Sequence, residues 1–170
     1  ERVLMGRRIV LSVGKFEAKK GQDVLIRAFA GLVQDYPDID LVLIGAEAAS
    51  LKGLRQLCIS EGVTDRVSFY VDISHSDVAK WFQRATLFVL PSRVEPFGIV
   101  LLEAGCLGLP VIASNVDGVP ELLKEGETGC MVAPDDIPGL TRVMRKMLDD
   151  PDASWRMGEQ LRTRITQYFS

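Results

Sequence analysis

Short apolar runs rich in β-branched residues recur along the chain, at 9–13, 41–44, 67–71, 87–90 and 111–113. Within each run the apolar residues are continuous rather than alternating, the pattern of strands covered on both faces and hence of a parallel sheet. A further strand is predicted at 130–132, after the turn-rich stretch 125–129. The intervening segments repeat every three to four residues instead. Val24, Leu25, Ala28, Phe29, Leu32 and Val33 form one apolar face, and Pro37 is read as the stop of that helix. A second helix is predicted over 50–61 with Gly62 ending it, a third over 76–84 carrying Val78, Trp81 and Phe82, and another over 99–107. Two helices close the chain. One has Pro138 near its first position and the apolar residues Leu140, Val143, Met144, Met147 and Leu148; the other begins after Pro151 and carries Trp155, Leu161, Ile165 and Phe169. Strand and helix in alternation mean βαβ units with right-handed crossovers. The predicted fold is therefore α/β, a Rossmann-like doubly wound parallel sheet of about six strands with helices on both faces. No repeat or linker interrupts it, so residues 1–170 read as one domain.

Composition narrows the class. Of 170 residues, 47% are hydrophobic and 25% charged, with a net charge of −3, which argues against disorder and against a basic nucleic-acid surface. Cys58, Cys106 and Cys130 are odd in number, widely spaced and set in apolar stretches, and are expected as reduced core residues rather than a disulfide framework. His75 is the single histidine, so no Cys/His cluster forms and no metal is expected. The most apolar run, 97–113, is shorter than the ~20 residues a bilayer crossing needs, and it contains Glu103 and Pro110. It is expected to be buried core. With no signal peptide in view, a cytoplasmic location is the expectation.

In an open α/β sheet, ligands bind beyond the carboxyl ends of the strands. Gly14 and Lys15 follow the first strand, 45–48 the second, Asp72 the third, 91–98 the fourth and 114–118 the fifth. Glu103 is the one carboxylate on the apolar 99–107 helix. Burying it costs several kcal/mol unless something pairs with it. A ligand with hydroxyl donors would do so; the other reading is that Glu103 points to solvent or bonds a neighbouring backbone amide. Gly98, at the mouth of the same helix, suits an anion site of unobstructed backbone N–H groups, or serves only the turn. Lys15 and Lys20, in the segment 14–21, read either as solvated surface or as cations for a diphosphate.

At these positions the chain resembles the C-terminal, donor-binding domain of a family 4 retaining glycosyltransferase with the two-Rossmann-domain (GT-B) architecture. Glu95-Pro-Phe-Gly-Ile-Val-Leu-Leu-Glu103 matches the family's two glutamates separated by seven residues. The resemblance continues through Val13-Gly14-Lys15 with Lys20-Gly21, Phe88-Val-Leu-Pro-Ser92, Gly108-Leu-Pro-Val-Ile-Ala-Ser114, Gly118-Val-Pro-Glu121 and Gly126-Glu-Thr-Gly129. It implies a nucleotide diphosphate sugar as substrate, with no cofactor and no metal. Gly14, Lys15, Lys20, Phe97, Gly98, Ile99 and Glu103 would bind the donor, the lysines its diphosphate and Glu103 its ribose. Glu95 would approach the sugar hydroxyls as the catalytic residue, and the nucleobase would lie near residues 70–72. Three positions depart from the family pattern. Lys15 stands where arginine is common and loses the bidentate fork. Ala46-Glu47-Ala48 replaces glycines flanking an acidic residue, and Asp117 replaces a frequent glycine, bringing a carboxylate that would repel phosphates if it pointed inward.

The resemblance also implies a partner domain, an N-terminal Rossmann-like acceptor domain absent from this chain. The chain, which opens on Glu1, is accordingly expected to be part of a longer enzyme and inactive alone, with any peripheral membrane association made through that absent domain. The apolar stripe of the last helix would pack against it. His75 is expected on the surface near a helix start rather than as a replacement for a catalytic histidine of the absent domain. Two other functions compete: a sugar-nucleotide epimerase domain of the same architecture, and a catalytically silent interaction module, which the changes at Lys15 and Asp117 favour.

Overall fold

The computed structural model describes residues 6–168; Phe169, expected on the last helix, lies outside them. Six strands, β1 (Arg8–Val13), β2 (Ile39–Gly45), β3 (Val67–Val71), β4 (Leu87–Leu90), β5 (Val111–Ser114) and β6 (Cys130–Val132), form one parallel sheet in the order β3-β2-β1-β4-β5-β6. Helices α1 (Gln22–Ala30), α2 (Leu51–Ser60), α3 (His75–Arg84), α4 (Ile99–Cys106), α5 (Val119–Leu122), α6 (Ile137–Asp149) and α7 (Pro151–Tyr168) cover both faces. The order reverses between β1 and β4, which places a crevice beyond their carboxyl ends.

Alternate residues of each strand feed two separate cores. Val10, Leu41, Leu43, Val89 and Ile112 pack under α1, α2 and α6. Ile9, Leu11, Val42, Ile44, Phe88 and Leu90 pack under α3, α4 and α7. Because both faces are covered, the strands lack polar alternation; β4 and β5 are buried throughout. Local signals start the helices as their chemistry dictates. Ser74 caps α3 by accepting a hydrogen bond from the Asp77 amide at 3.2 Å, and Asp136 caps α6 from the Gly139 amide at 2.9 Å.

The structure corrects several expectations. The helix thought to run to Pro37 ends at Ala30; Gly31 breaks the α-helical ladder and the chain continues as tight turns to Asp35. Strand β2 begins two residues before Leu41 and holds a buried carboxylate, Asp40, which the Arg7 and Arg66 guanidinium groups neutralise. Cys58 and Cys130 are buried, but Cys106 is exposed at the end of α4. The apolar stripe of α7 is not free. Leu161 and Ile165 are buried in the core shared with α4, whereas Trp155, 62% exposed, points outward.

One close approach locks the first helix to the fourth strand. Gly21, at φ +68°, is the N-cap of α1, and a Cβ there would lie 2.0 Å from the Pro91 carbonyl oxygen. Left-handed strain of about 1–2 kcal/mol and overpacking of about 1–3 kcal/mol both oppose any side chain. Gly21→Ala is expected to cost about 2–4 kcal/mol in urea unfolding; a loss well under 1 kcal/mol would show that the loop yields. The thiols offer a second check. Burial pushes Cys58 up to about 11 and raises Cys130 as well. An aromatic disulfide reagent at neutral pH should therefore modify Cys106 alone in the folded protein, and Cys58 and Cys130 only after denaturation.

Candidate functional site

The crevice at the switch point is a cleft of about 670 Å³. Gly14, Lys15, Lys19 and Lys20 reach it from beyond β1, Gly45 and Ala46 from beyond β2, Asp72 and Ile73 from beyond β3, and Glu95, Phe97, Ile99 and Glu103 from the β4–α4 connection. Of the donor-site residues named from sequence, Gly14, Lys15, Lys20, Glu95, Phe97, Ile99 and Glu103 line this cleft and Gly98 does not; of residues 70–72, expected near the nucleobase, only Asp72 does. Gly98 sits at the N-cap of α4 with φ +60°, and a Cβ on it would lie 2.8 Å from Leu122 Cδ1, so both conformation and packing exclude a side chain.

The loop after β1 is tightly held. The Gly14 amide donates to Ile44 O at 2.9 Å, extending the β1–β2 ladder, and Phe16 buries its ring fully beneath the turn. Gln22, only 3% exposed, donates through Nε2 to Gly14 O at 3.2 Å and Lys15 O at 3.0 Å. A buried amide thus fixes the backbone from which Lys15 projects. Residues 18–20 form one turn of 3₁₀ helix, carrying Lys19 and Lys20 to the cleft.

The β4–α4 loop is laid against this turn. Lys20 Nζ donates to Glu95 Oε2 at 3.0 Å and Ser92 Oγ donates to the same oxygen at 2.9 Å, while Oε1 makes no hydrogen bond among the described residues. Glu95 is only 6% exposed, and the ion pair with Lys20 and the Ser92 hydroxyl take the place of water around it. The Arg93 and Val94 amides donate to Lys19 O at 2.8 and 3.3 Å. The Arg93 guanidinium grips both Asp23 oxygens, at 3.1 and 2.9 Å, and reaches Asp135 at 2.7 Å. From the other side, the Glu95 amide donates to Asp117 Oδ2 at 2.7 Å. Asp117, at φ +47°, is therefore committed to the loop backbone and does not line the cleft.

Glu103 follows the second of its two readings. It is exposed, and makes no hydrogen bond or ion pair among the described residues. Ile99, Glu103, Cys106 and Leu107 are all exposed and share one face of α4, so the apolarity of this helix does not mean burial. Phe97, 79% exposed, continues the same surface at the cleft rim. His75 is the first residue of α3 and exposed, as expected, yet it also lines the cleft. Asp72, at φ +54°, accepts from the Glu47 amide at 3.3 Å and joins the loops after β2 and β3. Gln22, Lys19 and Arg93 were not singled out from sequence, and Ser92 was noted only as part of the 88–92 motif, without its bond to Glu95. Lys19 had a signal, its place beside Lys20, whereas the acids that hold Arg93 are distant in the chain. Among the described residues no group of three or more His, Cys, Asp or Glu could hold a metal ion, and no helix is long and apolar enough to cross a membrane.

The family described as "Glycosyl transferases group 1" matches residues 2–164. The chain belongs to that family. It is 36% identical over 158 residues to a D-inositol 3-phosphate glycosyltransferase of Streptomyces avermitilis, covering 88% of this chain and 34% of that one. Among solved structures, HepE of Anabaena, in complex with UDP and glucose, superposes with a TM-score of 0.91 at 25% identity, over 98% of this chain and 46% of that one. The C-terminal domain of a group 1 glycosyl transferase from Francisella tularensis shares the fold, with a TM-score of 0.89 at 23% identity, over 96% of this chain and 86% of that one. With the fold of that C-terminal domain, this member of the family spans about a third of its curated relative's length.

Arg93 generates a prediction with a sign. Burial acts to raise the Asp23 pKa, and the Arg93 guanidinium more than offsets it, leaving the carboxyl below its ordinary value. A depressed carboxylate stabilises the fold above its unfolded pKa, near 4, and loses that contribution as pH falls through the folded value. Because both partners are part-exposed, Arg93→Ala should cost about 1 kcal/mol at pH 7 in urea unfolding, and the gap from the parent should shrink below about pH 4. A gap that persists undiminished in acid would contradict this role.

Proposed function

We propose that the cleft binds a nucleotide diphosphate sugar and that the full-length enzyme transfers the sugar to an acceptor with retention of anomeric configuration, as a family 4 glycosyltransferase. The observation that carries this reading is the convergence of Lys15, Lys20, Glu95 and Glu103 on one cleft at the switch point of the sheet. HepE, solved with UDP and glucose and with UDP-glucose, supports a nucleotide sugar as the ligand class.

In this reading Lys15 and Lys20 neutralise the diphosphate, and backbone N–H groups of Phe97, Gly98 and Ile99 at the start of α4 add hydrogen bonds and the positive end of the helix dipole. Glu95 Oε1 accepts from the sugar hydroxyls while Oε2 stays with Lys20 and Ser92. Glu103 accepts from the ribose, and the nucleobase lies against residues 70–72. Fixed positive groups stabilise the charge that develops on the departing diphosphate, which lowers the barrier without a metal. The acceptor is held by an N-terminal domain outside this chain, so this chain binds donor without transferring it. Two grounds for a silent module weaken: Asp117 is spent on the Glu95 amide, and the α7 stripe is buried on α4.

Calorimetric titration with UDP, GDP and ADP sugars tests the proposal, and an absence of binding to all of them at low salt would reject it. Glu103→Ala should weaken nucleotide binding by about 1–3 kcal/mol, roughly 5- to 150-fold. The melting temperature should stay within a degree of the parent's, because the side chain is exposed and unpaired. A lower melting temperature with intact binding would make Glu103 a structural residue.

A further inference from the structure

The turn that carries the site lysines holds a carboxylate of its own. Glu17 Oε1 lies 3.1 Å from Lys15 Nζ, and Oε2 lies 3.4 Å from Lys19 Nζ, so one side chain spans two ammonium groups. Both lysines line the cleft; Glu17 does not, and lines instead the groove between α1 and α2 on the far side of the turn. The geometry is imposed by the backbone. The Glu17 amide donates to Lys15 O at 2.7 Å, the Lys20 amide donates to Glu17 O at 3.0 Å, and Gln22 fixes the carbonyls of Gly14 and Lys15. Lys19 O receives the Arg93 and Val94 amides, so the turn cannot shift without moving the loop that bears Glu95. Within that frame the two lysine side chains are about half exposed and free to swing, and Glu17 is the acceptor they meet. Lys15 foremost, and Lys19 with it, holds the Glu17 carboxyl below its ordinary range.

We infer that Glu17 is a resident counter-ion of the donor site: it pairs with Lys15 and Lys19 at the edge of the cleft, and a diphosphate in the cleft takes both ammonium groups from it. Lys19 is then a third phosphate-binding cation beside Lys15 and Lys20. The inference rests on the nucleotide-sugar reading for its natural ligand, but its physical content is the competition of two anions for the same cations. A carboxylate that must be displaced lowers affinity for any diphosphate. The cost of displacing the carboxylate is common to every ligand that takes both lysines, so Glu17 biases the site against weakly charged ligands, which offset it least, and lowers the affinity for product diphosphate.

The test uses the chain and its Glu17→Gln variant, titrated calorimetrically with inorganic pyrophosphate, with UDP-glucose and with GDP and ADP sugars. Replacing a surface carboxylate that makes two solvent-exposed ion pairs should tighten pyrophosphate binding about 3- to 10-fold. Adding Lys19→Met to Glu17→Gln should abolish most of that gain. Equal or weaker pyrophosphate binding by Glu17→Gln would overturn the inference and make Glu17 a support for the lysine posture. Pyrophosphate binding to neither chain would overturn it as well. A gain with pyrophosphate, together with no binding of UDP-glucose or of GDP and ADP sugars by either chain, would leave the counter-ion role standing and remove the nucleotide-sugar reading.

Discussion

The Lys20–Glu95 ion pair is the contact on which the site depends. It joins two loops that the topology would otherwise separate, because β1 and β4 are neighbours whose following helices depart to opposite faces of the sheet. A crevice opens where the helices diverge, and the fold alone does nothing to set its width. Taking both groups largely out of water carries a desolvation cost that attraction between the pair offsets only with good geometry and further hydrogen bonds. Ser92 supplies one to the same carboxylate oxygen, and the Glu95 amide is satisfied by Asp117. The pair is therefore better understood as a positioning device than as a source of stability.

Around it, charge is arranged so that each cation at this end of the cleft has a nearby carboxylate. Lys20 has Glu95, Lys15 and Lys19 have Glu17, and Arg93 has Asp23 and Asp135. Such pairing keeps several positive groups close together without the self-repulsion they would otherwise suffer. It also makes binding an exchange of partners rather than the filling of a bare positive patch. Glu103 is the exception, a carboxylate with its hydrogen-bonding capacity unspent at the cleft edge.

The strands were legible because a doubly covered sheet demands unbroken apolar runs, and their order along the chain leaves few topologies open. Where a strand carried a charge, the pattern misled: Asp40 hid the start of β2, since arginines that neutralise it lie 33 residues before it and 26 after. Glu103 was placed in the cleft correctly but for the wrong reason. The argument took the apolar residues of α4 as buried, whereas Ile99 and Leu107 beside it are exposed on the same face. Arg93 escaped notice, and Asp117 was read only as a carboxylate that would repel phosphates if it pointed inward, because their partners are 70 and 22 residues away and no local periodicity records a pairing made only after the sheet forms.

The hydrogen bond from the Glu95 amide to Asp117 ties the β4–α4 loop to the β5–α5 connection, as Arg93 ties it to the first helix and to the β6–α6 connection. Four crossovers of the sheet are thereby fastened into a single mechanical unit. Modular exchange at this edge is consequently constrained: a chimera that imported residues 91–98 from a relative with glycine at position 117 would bring a loop shaped for a different brace. Redesign of the cleft in this scaffold has to move these connections together, as a cassette, rather than one at a time.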